Sequence, residues 1–164
     1  MKRFALTAGV FAVAVLGGCV SPPPPQPRIA FPVAEYQSLP KAGTGIVEGQ
    51  VFMRTIGGDV KYGAGSEVTL NPMTSYSQQW YRYTYELRQP LQPGDPRQEA
   101  YVIRTQADGN GNFRFTDVPP GQYYLTSRVT WQAPTQYGLT PQGGWLTNRI
   151  TVKDGQSIRS MLTQ

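Results

Sequence analysis

The sequence has no histidine and a single cysteine, Cys19. Without histidine neither a Ser-His-Asp triad nor a Cys-His pair can be assembled, and zinc loses its commonest nitrogen ligand. One cysteine excludes an internal disulfide framework. The ten acidic side chains are scattered, so the facing carboxylate pair of a glycosidase is not indicated. Basic residues are no better clustered: the formal net charge is +5, of which Lys2 and Arg3 supply two, and no face-sized group of Lys and Arg marks a nucleic-acid binder. The expectation is a chain that is not an enzyme, with no cofactor, no metal and no nucleic-acid partner.

The ends of the chain are more informative. Lys2 and Arg3 precede an apolar stretch, Phe4 to Leu16, broken only by Thr7 and Gly9. That layout is a secretory signal and is too short for a spanning helix of about 20 residues. Leu16-Gly17-Gly18-Cys19 follows and resembles the lipobox of bacterial lipoproteins. The resemblance implies cleavage of residues 1–18 and a diacylglycerol on Cys19. Each buried methylene adds about 0.8 kcal/mol, so two or three acyl chains anchor stably. The alternative is a secreted protein cut near Gly18 that keeps an ordinary thiol. An aspartate after the cysteine resembles inner-membrane retention; Val20 stands there instead, which points to the outer membrane, at its periplasmic face.

Residues 19–43 read as a tether. Pro22 to Pro25 run consecutively, then Pro27, Pro32 and Pro40, and proline-rich chain is extended at about 3.1 Å per residue. The alternation of Ile29, Phe31 and Val33 leaves open that part of it docks as an edge strand. Residues 44–164 read as one domain of short β-branched and aromatic runs punctuated by glycine and proline, the pattern of an all-β sandwich. Val47, Gly49, Val51 and Met53 share a face by period two. Val68 and Leu70, Ile103, Phe113 and Phe115, and Tyr123 to Trp131 supply further strands, and residues 150–162 read as a closing hairpin. Asp108-Gly109-Asn110-Gly111-Asn112 is a turn whose residues tolerate positive φ. It also imitates the start of a calcium loop, but Pro119 occupies the place of the twelfth-position glutamate, so a plain turn is favoured.

Between Thr74 and Pro96 the strand pattern lapses. Thr74 or Ser75 caps a short predicted helix that lays Tyr76, Trp80 and Tyr83 on the sandwich. Tyr81, Arg82, Tyr85 and Arg88 then fall on the opposite side, and these four with Trp145, in a loop from Gln132, are the candidate interaction residues.

Val47-x-Gly49-x-Val51, Ala107-Asp108-x-Asn110-Gly111-x-Phe113-x-Phe115 and Val118-Pro119-Pro120-Gly121-x-Tyr123-x-Leu125 resemble the carboxypeptidase regulatory-like domain. The resemblance runs from about Gly45 to Gln164 and implies a seven-stranded prealbumin-like (transthyretin-like) Greek-key sandwich, here with one short helical insertion. It also implies a non-catalytic spacer or binding platform. Three readings follow: a membrane-anchored binding or structural module of the cell envelope, a subunit of an envelope complex similar to the transthyretin-like lipoproteins of type VI secretion, or a glycan or peptidoglycan binder. Solvent-accessible Trp80 and Trp145 in a shallow groove would favour the last, and burial of both rings would remove it.

Overall fold

The computed structural model describes residues 23–164; the signal segment, the lipobox and Cys19 lie outside the described residues. Eight strands form two four-stranded sheets. The first sheet is organised around β1 (Gly45–Arg54), which is flanked on one edge by β5 (Asn112–Val118) and β2 (Val60–Tyr62), both antiparallel, and pairs in parallel with β8 (Ser157–Leu162). In the second, β4 (Ile103–Gln106), β3 (Glu67–Pro72), β6 (Gly121–Thr135) and β7 (Gly138–Val152) lie in that order, all antiparallel.

Period-two alternation builds the core as expected. Val47, Val51 and Met53 of β1 face Val68 and Leu70 of β3, Leu125 and Val129 of β6 and Leu146 of β7, with Phe113 and Phe115 filling between. Each such buried side chain stabilises by roughly 1.5–3 kcal/mol. Gly49 belongs to this face for a different reason: a Cβ there would lie 1.8 Å from the Ser160 carbonyl oxygen, so β8 closes on β1 only over a glycine. Gly111 has φ +78° and leaves no room for a Cβ against the Val51 carbonyl oxygen, 2.4 Å away. There β5 and β2 meet end to end on the β1 edge, with Val51 donating to Gly111 and accepting from Gly63.

Three expectations are corrected. The strand count is eight, not seven, because Val60–Tyr62 pairs with Phe52–Arg54 as a three-residue strand too short to show a period. The segment from Gln132 to Trp145 is not a loop. It belongs to one unbroken hairpin in which Thr135 pairs with Gly138 and Gly121 with Val152. Finally, the proline-rich segment is not free spacer up to residue 43, nor is its docked part an edge strand. Gln26 exchanges backbone hydrogen bonds with Pro90 and Gln92, and a short helix α1 (Val33–Gln37) buries Tyr36 completely. Tyr36 stacks on Phe31 at 4.6 Å and packs against Tyr101 at 4.9 Å, while the Arg97 guanidinium covers Phe31. Pro32 at the N-cap of α1 and the aromatic spacing of Phe31 and Tyr36 favour a turn of helix over a strand here.

The β6–β7 ribbon extends beyond the second sheet, since β3 pairs with β6 only as far as Ser127. From Val129 to Asn148 it carries no charged residue, and Tyr137 and Leu139 at its end are 90 % and 71 % exposed. Gln122 turns its carbonyl away from β7 to accept from Met73, and by parity Pro134 on β6 and Pro141 on β7, opposite Gln132, face outward with no N–H to offer. Both open edges of the ribbon are thus blunted against strand addition.

Candidate functional site

The outer face of the second sheet is built from polar residues at alternate positions. Thr69, Thr126 and Thr147 lie side by side across β3, β6 and β7, and the Thr69 and Thr126 hydroxyls are 2.8 Å apart. One step along, Asn71 is opposite Tyr124; two residues the other way, Arg128 is opposite Trp145. Trp145 is 55 % exposed, with the Arg128 guanidinium 5.8 Å from its ring centre.

The expected helix in the insertion is present as α2 (Ser75–Trp80) and covers one end of this face. Thr74 and Ser77 form a reciprocal capping box, and Glu35 from the docked segment accepts from both the Ser75 N–H (2.8 Å) and the Ser75 hydroxyl (2.6 Å). A carboxylate at a helix start compensates the unpaired N–H groups there. Beyond Trp80 the chain widens into a π-helix, Tyr81–Glu86, in which Leu87 donates to the Arg82 carbonyl five residues back.

The structure corrects the sequence-based placement of the aromatics. Tyr81 was expected to face away from the sandwich; it lies on Tyr124 at 4.7 Å with the rings nearly parallel, because it stands one α-helical turn beyond the buried Ser77, whose carbonyl accepts from its N–H. Tyr85 also stacks on Tyr81, at 5.1 Å, and the Arg149 guanidinium lies 4.5 Å from the Tyr81 ring centre and bonds Glu86 at 3.0 Å. Burial beneath these rings raises the Tyr124 hydroxyl above its ordinary pKa. Trp80, expected in the core, is half-buried and meets Tyr124 edge-on at 6.2 Å.

Trp80 and Trp145 together border two depressions. One, of about 270 Å³, has Thr69, Asn71 and Thr126 as its floor, with Gln98, Arg104 and Arg128 beside it. The other, of about 650 Å³, is lined by Met53, Tyr85 and Arg88. The indoles form a saddle between them, and no other residue borders both. Arg104 holds Glu99 and lies 3.7 Å from Glu67, so these carboxylates are already paired. The Asn71 Oδ1 and Thr147 Oγ1 atoms are buried without a hydrogen-bond partner, and buried acceptors left so are costly. An exposed Trp145 and a half-buried Trp80, flanked by hydroxyl, amide and guanidinium groups, suit a ligand with apolar C–H faces and many hydroxyls.

Of the five candidate interaction residues, the structure brings Tyr85, Arg88 and Trp145 to one depression. Tyr81 and Arg82 lie instead in a separate shallow hollow with Glu86 and Arg149. Sequence reasoning missed Thr69, Asn71, Thr126 and Arg128. Their signal was the polar half of the alternation on β3 and β6. In the Asp108 turn the carboxylate accepts from the Asn110 and Asn112 N–H groups, both at 2.8 Å, and from the Asn112 amide. Its oxygens are used by the turn itself, and among the described residues no cluster of three potential metal ligands occurs.

The chain matches no protein-family model and no curated protein sequence. Among solved structures it is similar to a "putative carbohydrate binding protein" from Pseudomonas aeruginosa. The TM-score is 0.74 at 32 % identity, over 84 % of this chain and 99 % of the other.

Proposed function

From the premise that the chain belongs to the same family as the Pseudomonas aeruginosa protein, we propose that it is a carbohydrate-binding module of the cell envelope. The glycan lies across the Trp80–Trp145 saddle. The observation that carries this reading is the joint accessibility of two indoles from distant parts of the chain over a floor of threonine and asparagine.

The sandwich with its carboxypeptidase regulatory-like motifs is the platform, and the lipobox Leu16 to Cys19 supplies the anchor. Acyl chains on Cys19 hold the module at the periplasmic face of the outer membrane. Gln26 is docked on the domain, so no more than about seven residues separate it from Cys19, a span of at most roughly 25 Å. The module then works close to the bilayer, where cell-wall glycan is within reach. Cys19→Ser is expected to move the protein from the membrane to the soluble periplasmic fraction; continued membrane association would remove the anchor from this account.

The glycan reading is tested by titrating the protein with soluble glycan strands released from peptidoglycan and with a panel of plain oligosaccharides, followed by calorimetry. Binding to at least one of them is expected, weakened about tenfold or more by Trp145→Ala, since an aromatic anchor typically carries 2 kcal/mol or so. Unchanged affinity in the variant, or no binding to any of these glycans, contradicts it.

A further inference from the structure

The charge around the saddle allows the ligand class to be narrowed, an inference that rests on the carbohydrate-binding reading. The depressions on either side of the indoles contain two carboxylates, Glu67 and Glu99, and three guanidiniums, Arg104, Arg128 and Arg88. Arg104 is committed to both carboxylates. Arg128 and Arg88 form no ion pair among the described residues, and they lie on opposite sides of the saddle. Two arginines without an ion-pair partner therefore flank the aromatic platform, one at each end, and the side chains lining the two depressions carry one net positive charge. Arg88 is held there at φ +51°, a left-handed conformation that is costly outside glycine, where the π-helix ends.

We propose that the groove binds an acidic glycan, a chain whose sugars carry carboxylates, with successive units on either side of the saddle. One carboxylate pairs with Arg128 and another with Arg88, while sugar faces lie on Trp80 and Trp145. A neutral glycan would use the indoles and the threonine floor but leave both guanidiniums without a counter-charge.

The test compares three tetrasaccharides on the full chain purified in detergent. They are chitotetraose, which is neutral; the alternating N-acetylglucosamine–N-acetylmuramic acid tetramer, which differs from it by two lactyl carboxylates; and tetragalacturonate, which carries a carboxylate on every sugar. Calorimetry at low salt is expected to show at least one acidic tetramer binding tenfold or more tighter than chitotetraose. The advantage should shrink as salt rises and the charges are screened. Which of the two acidic tetramers binds tighter separates a cell-wall strand from a uronate polymer as the source. Arg128→Gln and Arg88→Gln are each expected to bring the ratio of acidic to neutral affinity toward one. Equal affinity for chitotetraose and both acidic tetramers, or a preference that survives both substitutions, overturns the proposal and leaves the carbohydrate-binding reading standing. Failure of all three to bind overturns both.

Discussion

Replacing Tyr36 by alanine tests whether the docked proline-rich segment is part of the domain. Its ring is completely buried between Phe31 and Tyr101, and truncating a buried aromatic to alanine costs about 3–5 kcal/mol. Against a total stability of roughly 5–15 kcal/mol for a domain of this kind, that loss is large. It should also spread. Without Tyr36 as its anchor, α1 releases Glu35 from the start of α2, and α2 carries Trp80 into the groove. Urea unfolding of Tyr36→Ala is expected to show a midpoint lowered in proportion. Hydrogen exchange should accelerate over residues 26–41 and in the first turn of α2, while β1, β5 and β6 keep their order of protection. Tyr36→Phe retains the packing and should stay within about 1 kcal/mol of the parent. A loss below about 1 kcal/mol in Tyr36→Ala, with exchange unchanged, would mean that the segment rests on the domain without supporting it.

Stability should also fall in acid. Asp154 accepts from the Thr44 N–H (2.9 Å) and hydroxyl (2.8 Å), which ties the start of β1 to the β7–β8 turn, and these bonds hold its pKa below the ordinary 3.8. Asp108 is lowered by its bonds from Asn112 and Asn110, and Asp95 is brought to about 2 by Arg97. A carboxylate whose folded pKa is depressed contributes above its unfolded value, and the contribution is lost as pH falls through the folded one. Melting temperature measured from pH 6 to pH 2 should therefore be level at first and drop from near pH 4 downward; Asp154→Asn should flatten the drop, and an unaltered profile would contradict this assignment. The ribbon makes a separate prediction. Restoring outward N–H groups with Pro134→Thr and Pro141→Thr together should promote concentration-dependent self-association in sedimentation experiments, whereas a variant no more associated than the parent would show that the prolines do not guard its edges.

Much of the sandwich can be read from the sequence because period-two burial leaves a direct trace, as at Val47, Val51 and Met53, and because the Asp108 turn uses residues chosen by backbone geometry. What escapes reading is what pairing and packing decide. Thr, Gln, Gly and Pro from Thr130 to Gly143 have no hydrophobic period, so their strands exist only through each other. A π-turn has no composition of its own, and Tyr81 faces inward because it continues the buried Ser77 face of α2. The groove unites Trp80 on a helix with Trp145 on a strand 65 positions later, and only the β6–β7 register and the docking of α2 bring them together.

The three tryptophans allow the central claim to be tested by one measurement. Trp80 and Trp145 border the groove, whereas Trp131 is packed against the core and serves as an internal control. In a nitrogen–proton correlation spectrum recorded during titration with the alternating acidic tetrasaccharide, the indole N–H signals of Trp80 and Trp145 should shift together and saturate with one Kd while that of Trp131 stays in place. Movement of Trp131 alone, or saturable binding that leaves Trp80 and Trp145 unmoved, would contradict the account.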